Sequence, residues 1–220
     1  MKQYTSLLLF ALIITQPSIS QTSTSAEMTA TKDDSHKTRA AEIVSKLNIK
    51  DEDKHSQTQS LLTNHFKELE TIFDNRKKEM QNAETAGNKE LADSRARTAW
   101  DAANGKLNKL YAAFLGKLSI LLTPDQTEKL KDLMTENGLQ REYNHYLALL
   151  PNLSEQQKIQ VTAYLKEARE NAMNAATAQN RAEWFIKFRG RANNYLAAAG
   201  YDLRKATEEL EAGKKASKNK

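Results

Sequence analysis

Trp100-Asp101-Ala102-Ala103-Asn104-Gly105-Lys106-Leu107-Asn108-Lys109-Leu110-Tyr111-Ala112-Ala113-Phe114-Leu115-Gly116-Lys117-Leu118-Ser119-Ile120-Leu121 decides how the whole chain folds. Within it Trp100, Ala103, Leu107, Leu110, Phe114, Leu118 and Leu121 recur at intervals of three and four, the period of one helix face. The spacing predicts a long amphipathic helix whose striped face, Trp100 included, enters a core. Gly105 and Gly116 interrupt it, each costing about 1 kcal/mol against Ala in a helix interior. Such a cost is usually offset by a close neighbour, so a helix crossing is expected at one of them.

The same period extends outward in both directions. Ala40, Ile43, Val44 and Leu47 predict a short first helix, and Leu62, Phe66, Leu69, Phe73 and Met80 a long second one. Ala86-Gly87-Asn88 breaks the pattern and suits a tight antiparallel connection. Leu122-Thr123-Pro124-Asp125-Gln126 places Thr at an N-cap, Pro at the first helical position and Gln at the third, which is a capping box. Leu153-Ser154-Glu155-Gln156-Gln157 repeats the plan 31 residues later. A short helix carrying Tyr143, Tyr146, Leu147 and Leu150 lies between them. Beyond the second box come Val161, Leu165, Ala168, Ala172 and Ala176, then Trp184, Phe185, Phe188, Ala192, Tyr195, Leu196 and Ala199. Gly200 suits a left-handed C-cap, and Asp202 caps a final short helix to about Leu210.

Composition agrees with helices throughout. The 220 residues include only 7 Gly and 3 Pro, too few for the frequent turns of a sandwich, barrel or doubly wound sheet. The expected fold is an all-α, single-domain antiparallel helical bundle or hairpin array of about six to eight helices. With 0 Cys there is no disulfide framework, thiolate zinc site or cysteine nucleophile.

The ends read differently from the middle. Lys2, the apolar run Leu7 to Ile14 and Pro17-Ser18-Ile19-Ser20 have the three regions of a secretory signal peptide. The run is far shorter than the roughly 20 residues of a transmembrane helix. Residues 1–20 are thus expected to be cleaved near Ser20/Gln21, leaving an extracytoplasmic protein, periplasmic or secreted, with no membrane span. Residues 21–35, rich in Ser and Thr, are expected to form a disordered leader, 36–212 the helical domain and 213–220 a basic disordered tail.

The formal net charge of +5 is concentrated in those ends. Lys2, Lys214, Lys215, Lys218 and Lys220 account for all of it, and the residues between them sum to zero. The basicity therefore gives no reason to expect nucleic acid as a partner.

Chemistry-bearing patterns are few. His36, His55, His65 and His145 are scattered and lack the i, i+4 spacing of zinc-binding helices. No phosphate-binding Gly-rich loop or nucleophile elbow is present. No catalytic residue, metal ligand or cofactor is assigned. Trp184-Phe185-Ile186-Lys187-Phe188-Arg189-Gly190-Arg191-Ala192-Asn193-Asn194-Tyr195 is the exception, crowding aromatics, cations and amides into one helical stretch. Helical phase puts Trp184, Phe188 and Tyr195 on one side and Lys187, Arg191 and Asn194 on another. The cations and amides donate to carboxylate, sulfate or sugar hydroxyl groups, and the aromatics offer stacking faces. Trp184, Lys187, Arg191, Asn194 and Tyr195 form the candidate ligand site. The competing reading makes the aromatics core and the cations a solvated rim.

Several of these segments together resemble a known family. They are Ala41-Glu42-Ile43-Val44 with Leu47-Asn48, Gly87 to Ser94, Leu121 to Gln126, Tyr146 to Gln157, and above all Trp184-Phe185, Gly190-Arg191, Asn193-Asn194-Tyr195-Leu196 and Gly200-Tyr201-Asp202-Leu203. The chain resembles, over about residues 39 to 207, the secreted Bacteroidetes family catalogued as domain of unknown function 3826. The resemblance implies a secreted protein, often encoded near polysaccharide-degradation genes, with no assigned activity. One departure is Lys50 before Asp51, where the family often has Thr or Ser followed by an acid, so Asp51 is the expected cap of the second helix. Leu122-Thr123-Pro124-Asp125-Gln126 also resembles the Leu-Thr-x-x-Gln motif of periplasmic stress chaperones, although that motif is mostly a capping box.

Three functions follow as expectations. The first is a non-enzymatic binding or accessory protein linked to polysaccharide utilisation, its partner an acidic glycan or a protein. The second is a periplasmic chaperone-like interaction module. The third is a polysaccharide-active enzyme, with Arg191 as charge stabiliser and Tyr195 or a nearby carboxylate as acid or base.

Overall fold

A computed structural model describes residues 25–218, and the expected signal peptide lies outside them. Eight helices follow in order: α1 (Ser25–Val44), α2 (Glu52–Glu84), α3 (Lys89–Leu121), α4 (Pro124–Met134), α5 (Gly138–Leu149), α6 (Glu155–Ala172), α7 (Ala178–Ala198) and α8 (Leu203–Lys218). Among the described residues there is no strand, so the all-α bundle is the observed fold. None of these helices is long and apolar enough to cross a membrane.

Local sequence sets most of the boundaries. Asp51 caps α2 by accepting from the Lys54 amide at 3.0 Å, as the departure at Lys50 implied. Asn88 caps α3, and the box residues Thr123 with Gln126 and Ser154 with Gln157 cap α4 and α6 reciprocally. Each box glutamine also fastens a distant loop. Gln126 Nε2 donates to the Leu47 carbonyl at 3.3 Å, and Gln157 Oε1 accepts from the Tyr201 hydroxyl at 3.0 Å. Gly200 takes φ +94°, and Asp202 caps α8 through the Lys205 amide.

Two groups of helices each bury their own core. Val44, Leu62, Phe66, Leu107, Phe114, Leu118, Leu130 and Met134 gather between α1, α2, α3 and α4. Tyr146, Val161, Leu165, Phe185, Phe188 and Leu196 gather between α5, α6 and α7, with Leu203, Ala206 and Leu210 of α8 packed against them. Helices of 33 residues are about 50 Å long. The α2–α3 hairpin consequently outruns its core, and its far half is largely exposed.

A seam of buried charge joins the groups. Arg169 on α6 donates to Asp132 at 2.6 Å and to Glu128, both on α4, while Lys131 meets Glu170 at 3.1 Å. Burial opposes the Arg169 charge, but Asp132 and Glu128 outweigh it and hold the guanidinium more firmly protonated than usual. Tyr111 on α3 donates to Glu170. Arg181 at the start of α7 holds Glu136 at 2.6 Å, and Arg39 on α1 donates to the Met134 carbonyl at 3.0 Å. Glu136 and Asn137 turn the chain from α4 into α5 with φ of 50° and 52°. The Phe185 ring lies so close to Gly138 that a Cβ there would stand 2.4 Å from it.

Several expectations are corrected. The first helix begins at Ser25, inside the segment expected to be a disordered leader. Lys32 pairs with Glu70 at 2.6 Å, His36 with Glu70 at 2.9 Å, and Lys67 with Asp33 at 2.7 Å. That segment docks through charges at helical spacing, which an apolar stripe does not reveal. The last helix likewise continues to Lys218, through residues 213–218 of the segment expected to be a disordered tail. Gly105, Gly116 and Gly190 have nothing within 4 Å of an added Cβ, so no helix crosses closely at any of them. The close approach is at Gly138 instead.

Candidate functional site

Trp100 is 47% exposed rather than core. It stands on the part of α3 that extends past the first core, and it faces a cleft of about 520 Å³ between the α2–α3 hairpin and the α6–α7 corner. Trp184 and Lys187 of α7 line the opposite side, and Phe73 and Arg76 of α2 lie beside Trp100. The Arg76 guanidinium carbon sits 4.4 Å from the Trp100 ring centre and 4.6 Å from that of Phe73. Lys187 Nζ similarly lies 4.7 Å from the Trp184 ring centre. Each contact is a cation–π interaction worth about 0.5–1 kcal/mol where solvent reaches it.

Amides supply most of the remaining polar lining. Asn104 and Asn108 reach the cleft one turn apart on α3, and their side chains make no hydrogen bond among the described residues. Asn174, in the turn after α6, has a side-chain oxygen that is buried and lacks a partner among the described residues. A buried carbonyl oxygen without a donor is costly unless a ligand or water supplies one. Asn171 and Asn180 are already engaged, with the Glu167 carbonyl at 2.7 Å and with Thr177 and Glu183 respectively. Glu183 is the carboxylate among the described lining residues.

The residues singled out from the sequence divide. Trp184 and Lys187 enter the cleft. Arg191, on the same stripe one turn later, instead pairs with Glu167 of α6 at 3.2 Å and lies 4.7 Å from the Phe188 ring centre. Asn194 is exposed farther along the helix, and Tyr195 meets Tyr164 edge-on at 6.3 Å against the second core. The five therefore do not converge in one place. Trp100, Arg76, Asn104, Asn108 and Asn174 complete the cleft from other segments. The polar surroundings of Trp100, with Asp101, Asn104 and Gly105 close by, and the run of Asn171, Asn174 and Asn180 are the signals that could have found them.

No group of three or more His, Asp or Glu side chains is placed to hold a metal ion among the described residues. His65, whose two ring nitrogens lack partners, is buried and stacked on Phe114 with 3.9 Å between ring centres. Burial, with Arg39 nearby, pushes its pKa down to about 4.

Comparison with protein families matches residues 33–216 to the family described as protein of unknown function (DUF3826). The chain belongs to this family. The matched region reaches beyond both ends of the sequence resemblance, taking in Asp33 and His36 of the docking segment of α1 and most of α8. No curated protein matches the chain. Family membership thus carries no activity, and the cleft has to be interpreted from its own chemistry.

Proposed function

We propose that this family member is a glycan-binding protein whose site is the cleft between Trp100 and Trp184. The observation that carries the reading is the pairing of two partly exposed tryptophans with uncommitted amides around one cavity. Sugar rings present apolar C–H faces that stack on indole and a rim of hydroxyls that both donate and accept. Trp100 and Trp184 supply the first kind of contact, and the amides of Asn104 and Asn108 supply the second. An unfolded protein client would use the rings but has less use for so many amides, which favours a sugar over a chaperone-like role.

Binding is also favoured over hydrolysis. Paired-carboxylate glycosidases set two acids about 5–9.5 Å apart across the scissile bond, whereas Glu183 is the acid among the described lining residues. Export through the N-terminal segment would place this binding outside the cytoplasm, in keeping with the polysaccharide setting that the family resemblance implies.

Calorimetry with a panel of neutral and acidic oligosaccharides tests the proposal. Saturable binding is expected, weakened roughly 10-fold by Trp100→Ala or Trp184→Ala alone and roughly 100-fold by both. The thermal midpoint should hardly move for Trp100→Ala, whose ring is 47% exposed, and should fall for Trp184→Ala, whose ring also packs against the second core. Undiminished affinity in the double variant would sink the assignment, and release of shortened sugars by the wild type would turn it into an enzyme.

A further inference from the structure

Arg76 differs from the other arginines that hold the bundle together. It is half-buried on α2, yet among the described residues none of its N–H groups has a hydrogen-bond acceptor or a carboxylate within ion-pair distance. Phe73 and Trp100 occupy the space over its guanidinium instead. Burial alone is enough to bring its pKa below the usual arginine range. A planar fork of five donors clamped by rings and lacking an acceptor is suited to paired anionic oxygens arriving from outside.

Its position adds a second constraint. Phe73, Arg76, Ala175 and Asn180 line the tryptophan cleft and also a neighbouring groove of about 600 Å³. That groove continues along α2 past Phe66, Lys77 and Met80, with the Arg39 guanidinium 4.3 Å from the Phe66 ring centre. Of its acids, Glu70 and Asp74 are already drawn to Lys32, at 2.6 and 3.7 Å, while Glu84 lies at the Met80 end, about two turns from Arg76; Glu183 in the cleft accepts from Asn180 at 3.3 Å. Each compartment alone is within the about 300–1,000 Å³ of a small-ligand pocket. Two in series, sharing Arg76 at their junction, accommodate a chain better than a single ring.

We infer that the ligand is an acidic oligosaccharide that crosses Arg76, placing a carboxylate or sulfate on its guanidinium and further sugar units in the compartments on either side. The inference rests on the glycan reading of the cleft. Lys187 at one end and Lys77 at the other would receive additional acidic groups along such a chain.

The experiment compares tetramers of galacturonate, glucuronate and mannuronate with their fully methyl-esterified forms, a sulfated tetrasaccharide and the free uronic acids. Binding is measured by calorimetry to the wild-type chain, Arg76→Met and Arg76→Lys. The wild type should bind at least one acidic tetramer about 10-fold or more tighter than its neutral ester, and the free acid about 10-fold or more weaker than the tetramer. Arg76→Met, which keeps an apolar chain between the rings, should lose roughly 10- to 100-fold for the acidic tetramer and little for the ester. Arg76→Lys should fall between, since it keeps the charge but not the fork. A sulfated ligand that outcompetes every uronate supports the inference and identifies sulfate as the anionic source. Equal affinity for acid and ester, with Arg76→Met unchanged, overturns the inference while leaving a neutral-glycan site intact. Equal affinity for monomer and tetramer overturns the extended path. Absence of binding to any of these sugars removes the glycan reading along with it. If Arg76→Met does not fold, the wild-type acid-to-ester ratio and the Lys variant still decide.

Discussion

At the seam between the two helix groups, Arg169 and Arg181 are met by carboxylates of α4 and of the turn that follows it. In the cleft beside that seam, Arg76 and Lys187 are met by aromatic rings. The two regions share α3, α6 and α7, so the contrast does not come from different scaffolds. A cation whose function is to hold helices together needs its acid within the chain, because an uncompensated buried charge is expensive. A cation that serves a ligand is better held in place by a ring, which fixes its position while leaving its donors open. The same distinction separates two unpartnered polar groups. Asn174, whose side-chain oxygen is buried without a partner, lines the cleft, whereas His65 is shut inside the first core.

His65 gives the largest expected effect. Its folded pKa of about 4 lies below the roughly 6.5 of an unfolded histidine. The unfolded chain therefore takes up a proton over that interval while the folded one does not. The resulting contribution is complete above about pH 6.5 and is lost as pH falls toward 4, on the order of 3 kcal/mol across the window. Urea unfolding followed between pH 4 and 7 should show this acid limb, and His65→Leu should flatten it. A limb of the same depth in the variant would mean that other groups carry it.

Arg169→Met tests the seam directly against the cleft. Removing the guanidinium leaves Asp132 and Glu128 without their main partner. Both retain contact with water, so the cost is about 2–3 kcal/mol rather than the larger penalty of a fully buried acid. Arg76→Met should cost less than about 1 kcal/mol of stability, because no acid depends on Arg76. Chemical denaturation of both variants measures the difference. If Arg76→Met proves the more destabilising, the distinction between cations that hold and cations that wait is broken.

How far the sequence revealed each region follows from the range of the interactions involved. The capping boxes, the Asp51 cap and the left-handed Gly200 lie within a few residues of the groups they satisfy, and they were readable one segment at a time. The apolar stripes gave the helices for the same reason. Trp100 was misplaced because its stripe continues into a part of α3 that extends past its core, and stripe spacing does not register where a packing partner stops. Half of the cleft was visible as Trp184 and Lys187. The other half comes from α2, α3 and the turn after α6, which only the tertiary arrangement brings together. Arg191 has the composition of a site residue, but its fate was set by Glu167 on a neighbouring helix.

The glycines sharpen the comparison at the smallest scale. Gly138 belongs to the seam, where a Cβ would sit 2.4 Å from the Phe185 ring, and Phe185 is itself buried in the second core with little room to yield. Gly138→Ala should therefore destabilise by about 2 kcal/mol through overpacking. Gly190 lies on the exposed side of α7 with nothing within 4 Å of its would-be Cβ, and its helical backbone suits Ala without strain. Gly190→Ala should instead stabilise by up to about 1 kcal/mol, through helix propensity and a less flexible unfolded chain. Thermal melts of the two variants should move in opposite directions, while sugar binding by Gly190→Ala stays unchanged. A loss of binding without a loss of stability at Gly190 would show that the outer face of α7, beside Arg191 and Asn194, also meets the ligand.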